Sequence, residues 1–253
     1  MTVAPRLSAL VVAHNEEAQL DECLARLAFA DELVVVLDKC TDRSRDIALA
    51  RGAHIVEGAW DVEGDRRNIG LDACTGDWIL EVDADERVTD GLAAEIRTAI
   101  ATAPGGYFLV PFDNYVGKTL VRYGWGAAWG VSAAPRLSAK GAKRWQRQRV
   151  HPGLELTGPQ GRLTERMEHY VDSNISDMIR RLDRYTTARA ADLRAGAEAD
   201  VGLGRNIRRI FSRFYKCYVG RKGYREGAWG FLIALMAGLY PILSYLKARL
   251  EEE

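Results

Sequence analysis

The chain has 253 residues, of which 47% are hydrophobic and 28% charged, so it can form one large or two small domains with a full core. Its 35 Lys and Arg residues balance 35 Asp and Glu residues. This balance disfavours a uniformly basic nucleic-acid-binding protein, and we expect no nucleic-acid partner. Four scattered cysteines without a CxxC pair exclude a zinc-finger or disulfide-framework class and favour reduced thiols in a cytosolic protein. No signal peptide is predicted, because no charged leader precedes a long apolar run.

The first hundred residues alternate short apolar runs with helical periodicity. Strands are predicted at 7–13, 33–37, 54–56 and 78–82, and helices at 16–27, 42–51, 66–73 and 90–101. This alternation predicts βαβ units and therefore an α/β fold with a mainly parallel, Rossmann-like sheet and flanking helices. Ligands of such sheets bind beyond the carboxyl ends of the strands. The loops after Ala13, Leu37 and Val82 are therefore the first candidates for a site.

The rest of the chain has a different character. Residues 104–170 are rich in glycine, with a strand predicted at 107–110, and could supply an acceptor surface. A helix is predicted at 176–199. Residues 205–225 contain many Lys and Arg residues, no acid and interleaved aromatic residues, and residues 227–246 carry no charge.

Acidic residues directly follow the strand predicted at 78–82. In EVDADE (81–86), Asp83 and Asp85 are two positions apart. At a strand end, two such carboxylates can converge on one divalent cation, Mn²⁺ or Mg²⁺, with water and phosphate oxygens completing its shell. The cation would neutralise charge on a departing diphosphate. The alternative is a DxD sequence on a solvated turn.

Charged residues also stand near the other strand ends. Asp38 ends the second strand and could accept the N–H of a nucleobase; the alternative is an N-cap of the next helix, which Asp42 fits better. Glu16 could accept ribose hydroxyls, or it could complement a helix dipole as a first-turn acid. Arg66 and Arg67 suit phosphate, unless they form a solvated cationic face.

Together these motifs resemble family 2 glycosyltransferases with the GT-A fold, and most closely the branch that adds β-linked sugars to the lipopolysaccharide inner core. The matching segments run in order: VVAHNEE (11–17), ADELVVVLDKCTDRS (30–44), GDRRN (64–68), GDWILEVDADE (76–86), NYVG (114–117), RL (136–137), VH (150–151), HY (169–170) and KGYREGAWGFLIAL (222–235). The resemblance implies a metal-dependent, inverting transfer of glucose or another hexose from a UDP-sugar to a lipid-linked saccharide such as lipopolysaccharide core. It implies nucleotide-sugar contacts at Ala13, Asn15, Glu16, Asp38, Arg66, Arg67, Asn68 and Asp83, with the metal held by Asp85 and Asp83.

The general base is where this chain departs from the branch. Inversion by direct displacement requires a base that takes the proton of the acceptor hydroxyl. The branch usually has a glutamate after the VH pair, where this chain has Pro152. Glu155, three residues farther on, is the first candidate, His151 the second and Asp113 the third. The run DKCTD (38–42) is also one residue shorter than the run of the branch.

We predict a nucleotide-sugar-binding and catalytic GT-A domain at 1–170 and a helical, membrane-associating region at 171–253. Basic segments gain free energy near anionic lipids, which favours a cytoplasmic protein attached peripherally to the inner face of the cell membrane. A helix spanning the bilayer over 227–246 and a buried hairpin or dimer contact are the alternatives. The sequence leaves self-association into a homo-oligomer open.

Two other functions compete with glycosyl transfer. A sugar nucleotidyltransferase would be expected to carry a glycine-rich basic phosphate loop after the first strand, but the loop here, AHNEE, is acidic and lacks glycine. A catalytically decayed membrane scaffold is suggested by Pro152. The intact set of Asp38, Arg67, Asp83 and Asp85 argues against decay.

Overall fold

The computed structural model describes residues 4–126, 129–147, 153–196 and 201–251. The first part of the chain alternates strands with helices, in the order β1 (Leu7–Ala13), α1 (Leu20–Ala25), β2 (Glu32–Asp38), α2 (Ser44–Ala50), β3 (His54–Gly58), α3 (Glu63–Ala73), β4 (Trp78–Asp83), β5 (Glu86–Arg87) and α4 (Asp90–Thr102). A run of strands follows, namely β6 (Tyr107–Val116), β7 (Thr119–Val121), β8 (Ala133–Ala139), β9 (Lys143–Trp145), β10 (Leu154–Leu156), β11 (Gln160–Arg162) and β12 (Met167–Asp172). The chain then continues in helices α5 (Ile175–Arg194), α6 (Leu203–Tyr215) and α7 (Gly227–Leu250), with short π-helical (Lys216–Gly220) and 3₁₀ (Gly223–Glu226) turns between the last two.

Most strands form one mixed sheet in the order β3-β2-β1-β4-β8-β6-β12-β5. The first four are parallel, and their register places Val12 beside Val36 on one side and Asp83 on the other. Strand β8 runs antiparallel to both β4 and β6, and β12 runs antiparallel to β5. The carboxyl ends of β1, β2 and β4 therefore lie together at one edge of the sheet.

Both faces of β1, β2 and β4 are covered, which explains why these strands are largely apolar rather than alternating. Successive side chains of a strand point to opposite faces. Accordingly, Ala9 and Val11 of β1 pack with α1 and α4 in one core cluster, whereas Leu10 packs with α3 in another. Gly70 of α3 permits this second contact, because a Cβ atom there would lie 2.6 Å from Leu10 Cδ1.

The described chain divides into two compact units. One comprises residues 4–112, 133–147 and 153–169, and the other residues 113–126, 129–132 and 170–251. The first contains the parallel strands, and the second has its own core, built around Trp125, Trp129, Met178, Ile233 and Tyr240. The division predicted between 170 and 171 remains a prediction.

In the second unit, α7 packs against α5 and α6. It lies in the one segment of the described residues, 223–250, that is long and apolar enough to cross a membrane, with a mean hydropathy of 1.6. However, 56% of the most apolar window is buried inside the protein, as expected of a helix in a protein core.

The structure corrects several predicted boundaries. The helix predicted at 16–27 begins only at Leu20, because the amides of Glu16 and Glu17 bond to the side chains of Ser44 and Asp42 in the neighbouring loop. Among the described residues, seven strands begin between 104 and 170 rather than the one predicted. Several of these have only three residues, which is too short to show a period. The helix predicted at 176–199 ends at Arg194, and residues 197–199 lie outside the described residues.

Candidate nucleotide-sugar site

The loops after β1 and β2 are joined by hydrogen bonds. Asn15, which has a left-handed backbone (φ 57°), accepts the N–H of Thr41 on its Oδ1 at 2.8 Å. His14 Nδ1 lies 2.6 Å from the carbonyl oxygen of Asp38, and the thiol of Cys40 lies 3.5 Å from the carbonyl oxygen of Ala13. These contacts bring the predicted binding positions after both strands together. His14 and Asn15 remain exposed.

Asp38 is buried at the end of β2 and does not cap the next helix. Its Oδ1 accepts the backbone N–H of Trp60 at 2.9 Å, and its Oδ2 forms an ion pair with Arg66 Nη1 at 3.0 Å. Asp42 instead bonds the first amide of α2, since its Oδ1 accepts the N–H of Ser44 at 3.0 Å. Asp38 therefore does not serve as the N-cap of α2. Each of its oxygens keeps a second lone pair for a ligand.

Asp83, at the end of β4, lies between two guanidinium groups. Arg67 Nη1 is 3.0 Å from its Oδ1, and Arg136 of β8 bonds its Oδ2. Burial raises the pKa of Asp83, but Arg136 and Arg67 outweigh it and hold this pKa well below its usual range. Asp83 is therefore a carboxylate whose two oxygens are both bound by cations of the protein.

Arg67 is held by acids on three sides. Besides Asp83, it contacts Glu63 at 2.9 Å and Glu81 at 4.0 Å, and its guanidinium lies over the Trp145 ring, 4.8 Å from the centroid. Burial lowers its pKa, but Asp83, Glu63 and Glu81 together raise it. Arg67 therefore remains charged and is fixed in place.

The hairpin β9–β10 supports this cluster. Lys143 forms a buried ion pair with Glu81, and Trp145 Nε1 donates to Glu81 Oε1 at 2.9 Å. Asn68 bonds the backbone of Trp145 on both sides, accepting its N–H at 3.0 Å and donating to its carbonyl at 2.8 Å. The amide of Asn68, predicted to contact the nucleotide sugar, thus joins α3 to β9.

Asp85 lies beside a histidine from the far end of the sheet. β5 pairs with β12, and this pairing sets His169 opposite Glu86. His169 Nε2 is 3.4 Å from Asp85 Oδ2. Burial lowers the pKa of His169, but Asp85 raises it, and the net shift is upward. Burial raises the pKa of the neighbouring Glu86 to about 7, although Arg136 opposes the shift.

The side chains at this edge provide some of the ligands that a hard cation needs. No group of three His, Cys, Asp or Glu side chains comes together to hold an ion within the residues that the structure describes. Asp85 and His169 offer an oxygen and a nitrogen close enough to share one ion, to which phosphate and water oxygens would contribute the remaining ligands. Asp83 would first have to release an arginine. The geometry therefore favours Asp85 over Asp83 as the protein ligand.

The three candidate bases lie in different places. Glu155 pairs with Arg144 across the β9–β10 hairpin, and paired residues project from the same face. Lys143 and Trp145, which reach the acidic strand, flank Arg144 and therefore use the opposite face. Asp113 lies in the second unit, where Arg122 Nη2 bonds it at 3.2 Å. His151, like Pro152, lies outside the described residues.

Sequence reasoning assigned no role to Arg136, His169, Lys143 or Trp145. Arg136 and His169 stand within the RL and HY pairs of the family resemblance, which was the available signal. Their neighbours in space lie some fifty or more positions away in sequence, since Arg136 bonds Asp83 and His169 approaches Asp85. Only the pairing of β8 with β4 and of β12 with β5 brings them to the site.

A partly parallel α/β sheet with acids and arginines at its carboxyl edge defines a protein of the GT-A class, as predicted. The chain belongs to glycosyltransferase family 2, because the model of that family, Glycosyl transferase family 2, matches residues 8–148. The match runs from β1 to β9, so that of the described elements of the site only β10 and β12 lie outside it. The predicted family membership is confirmed.

Individual proteins give a more specific comparison. The lipopolysaccharide core biosynthesis glycosyltransferase LpsC of Rhizobium meliloti (strain 1021) is 24% identical over 270 residues, covering 95% of this chain and 91% of LpsC. A glycosyltransferase of Rickettsia bellii (strain RML369-C) is 32% identical over 98 residues, covering 38% of this chain and 33% of that protein. The similarity to LpsC over almost the whole chain confirms the predicted resemblance to the lipopolysaccharide core branch.

The chain is also similar in part to a solved structure. Glucosyl-3-phosphoglycerate synthase from Mycobacterium tuberculosis, crystallised with Mn²⁺ and UDP-glucose, superposes with a TM-score of 0.37 and 24% identity. The match covers 44% of this chain and 44% of that chain. The chain thus spans less than half of the synthase and nearly all of LpsC.

Proposed function

We propose that this glycosyltransferase is an inverting, metal-dependent hexosyltransferase. It transfers glucose or another hexose from a UDP-sugar to a lipid-linked saccharide such as lipopolysaccharide core. It works in the cytoplasm, attached peripherally to the inner face of the cell membrane. Residues 1–170 bind the donor and catalyse transfer, and residues 171–253 associate with the membrane.

The observation that carries this proposal is the arrangement of charged groups where β1, β2 and β4 end. Parallel register brings the end of β1 beside the ends of β2 and β4. Asp38 ends β2 and pairs with Arg66, and Asp83 ends β4 and pairs with Arg67. A nucleoside diphosphate needs acceptors for its base and ribose and cations for its phosphates, and this edge offers both kinds of group.

In the proposed complex, Asp38 accepts the N–H of the base, and Ala13, Asn15 and Glu16 contact the nucleoside. Arg66 and Arg67 lie near the diphosphate. The Nε of Arg66 suits that role, since it is buried and has no hydrogen-bond partner among the described residues.

The metal is assigned to Asp85, with His169 beside it and Asp83 contributing to the ribose or to the cation. A divalent cation bound there supplies positive charge for the departing diphosphate. Asp83 and Arg67 form an ion pair at this edge, so that a bound ligand is surrounded by charged groups of fixed orientation rather than by solvent. Asn68 acts on the donor indirectly. Its hydrogen bond to Trp145 holds β9 in place, and the Trp145 ring lies against the guanidinium of Arg67.

The base remains assigned to Glu155, with His151 as the second candidate. Glu155 is exposed and makes only a 3.5 Å contact with Gln146 Nε2 among the hydrogen bonds of the described residues. The side chain can therefore change rotamer at little cost. Transfer by Glu155 requires that its carboxylate reach the acceptor hydroxyl when both substrates are bound.

One assay tests the metal, the donor and the base together. UDP release and hexose transfer to a lipopolysaccharide core acceptor are measured with Mn²⁺ for the parent, Asp85→Asn and Glu155→Gln. We expect Asp85→Asn to lower both rates roughly 100-fold or more, because a metal ligand supplies several kcal/mol to the transition state. Glu155→Gln should abolish transfer and preserve UDP binding.

Asp72→Asn is the matched control, since the ion pair of Asp72 within the described part of the chain is with the exposed Arg144. Full activity of Asp85→Asn, or of the parent in EDTA, would contradict the metal assignment. An equal transfer rate in Glu155→Gln would move the base to His151 or Asp113. If the parent neither binds UDP nor releases UDP from any UDP-hexose, the proposed function itself is contradicted.

A further inference from the structure

Helix α6 presents an apolar stripe to solvent. Leu203, Ile207, Phe211 and Tyr215 recur at intervals of four and therefore share one side of the helix. All four are exposed, Phe211 by 71% and Tyr215 by 64%. The other side of α6 faces the core, where a Cβ atom on Gly238 of α7 would lie 2.8 Å from the carbonyl oxygen of Ile210. The outward stripe is therefore additional to the face that holds α6 in place.

Aromatic residues extend this stripe beyond α6. The ring of Phe214 contacts those of Tyr218 and Phe231, and Tyr218 also contacts Tyr224. Tyr224 is 53% and Phe231 50% exposed. Large apolar side chains are seldom gathered on an exposed surface unless something binds there. Together the stripe and these two rings form the aromatic face: Leu203, Ile207, Phe211, Tyr215, Tyr224 and Phe231.

Exposed cations accompany the aromatic face. Arg205, Arg208, Lys216 and Lys222 are all exposed, and none has an ion-pair partner among the described residues. Residues 205–225 contain no Asp or Glu. A surface that combines unpaired cations with Phe and Tyr complements anionic lipid headgroups above an acyl boundary, where aromatic rings concentrate.

The apolar helix α7 is poorly suited to cross a bilayer. Ala237 and Tyr240 are buried in the core of the second unit, and Gly230 approaches the backbone of Gly223 too closely for a side chain. Its partner α5 carries charged residues along its length, and one of them, Arg181, forms a buried ion pair with Asp172 at the end of β12. Moving α7 into lipid would break this packing or carry those charges with it, at a high cost.

We infer that the aromatic face is the membrane-docking surface, and that α6 lies flat in the headgroup region of a bilayer containing anionic lipid while α7 stays in the protein core. This inference rests on the proposed peripheral attachment and is independent of sugar transfer. The aromatic residues insert, and the four cations bind headgroup phosphates.

Cosedimentation of the full chain with vesicles tests the inference. One set contains equal parts of phosphatidylcholine and phosphatidylglycerol, and the other phosphatidylcholine alone. The parent should bind only the anionic vesicles, and less at high salt. Arg205→Gln with Arg208→Gln should weaken binding about fivefold per cation. Phe211→Ser with Tyr215→Ser should weaken it at least as much.

Two matched controls carry equivalent changes elsewhere. Leu49→Ser removes an apolar side chain that is 50% exposed on α2, and Arg26→Gln with Arg162→Gln removes two exposed cations from the first unit. Both should bind like the parent. UDP release in solution should be unchanged in every variant, so that loss of docking is distinguished from loss of the proposed activity.

Three results would overturn the inference. Parent-like binding by the aromatic and arginine variants would show that another surface docks. Retention that is insensitive to salt and needs detergent for release would indicate that α7 spans the bilayer. Binding to RNA without binding to anionic vesicles would assign the cations to a different partner.

Discussion

Asp38 joins three parts of the site, two through its carboxylate and one through its backbone carbonyl. It fixes the turn at Trp60, pairs with Arg66 and remains beside the loop that follows β1, whose His14 contacts its carbonyl oxygen. Because the carboxylate is buried, its charge is screened little by water. A ligand that donates an N–H to it would gain a charge-assisted hydrogen bond.

Asp38→Asn should therefore weaken UDP binding roughly tenfold or more, since hydrogen bonds to charged groups contribute about 1.5–3 kcal/mol. The asparagine keeps an oxygen for the amide of Trp60, so that the turn should survive. Calorimetric titration with UDP measures the effect, and Asp61→Asn, which removes an exposed carboxylate bound to Lys39, is the control. Unchanged affinity would restrict Asp38 to holding Arg66 and the turn.

The carboxylate of Asp31 makes part of the stability of the fold depend on pH. Its Oδ2 accepts the N–H of Leu7 at 2.7 Å and pairs with Arg97 at 2.8 Å. The Arg97 hydrogen bond lowers the pKa of Asp31 from 3.8 to about 2. Since the folded pKa is below the unfolded one, the stabilisation is present above about pH 4 and is lost as the pH falls towards 2.

Asp31→Asn should consequently lower the free energy of unfolding at neutral pH, and the difference from the parent should disappear between pH 4 and 2. The effect should be modest, because the side chain is 39% exposed and water screens the pair. Urea titrations across this range measure it, with Asp72→Asn as a control. A difference that persists at pH 2 would attribute the loss to something other than this ionisation.

The contact between α6 and α7 depends on a glycine. Gly238→Ala would place a Cβ atom 2.8 Å from the carbonyl oxygen of Ile210, and a backbone atom cannot turn aside as a side chain can. We expect a loss of about 1–3 kcal/mol in the free energy of unfolding, as for other overpacked cores. Thermal or urea denaturation provides the measurement.

Gly204→Ala is the paired substitution on the outer side of α6. Apart from its chain neighbours and the backbone of its own helix, no atom of the described residues lies within 4 Å of its Cβ position. Alanine also restricts the unfolded chain, so stability should rise by about 0.4–1 kcal/mol. Opposite signs for the two substitutions would locate the tight contact on one side of α6. Equal effects would mean that helix propensity, rather than packing, determines both.

Across the whole molecule, local patterns predicted the sheet and the acids at its edge. Asp83 and Asp85 were predicted because parallel strands end together, so an acid after one apolar run lies near residues that follow the others. Arg136 and His169 could not be placed in the same way, because β8 and β12 give no local sign of which strand they will join. The sequence also did not predict most of the strands between 104 and 170, because several of them have only three residues, too few to show a period. The roles of the predicted site residues remain predictions.

The four cysteines have a practical consequence for studying this protein by spectroscopy. Cys23, Cys74 and Cys217 are buried and Cys40 is half-buried. Burial is the main cause that raises the pKa of each thiol, to about 12 for Cys74. The thiolate is the form that reacts with maleimides, so the three buried thiols should stay unlabelled at neutral pH, and Cys40→Ser would remove the half-buried one. A cysteine introduced in place of Phe211 would then carry the only fluorophore, whose emission would report the transfer of this position from water to lipid.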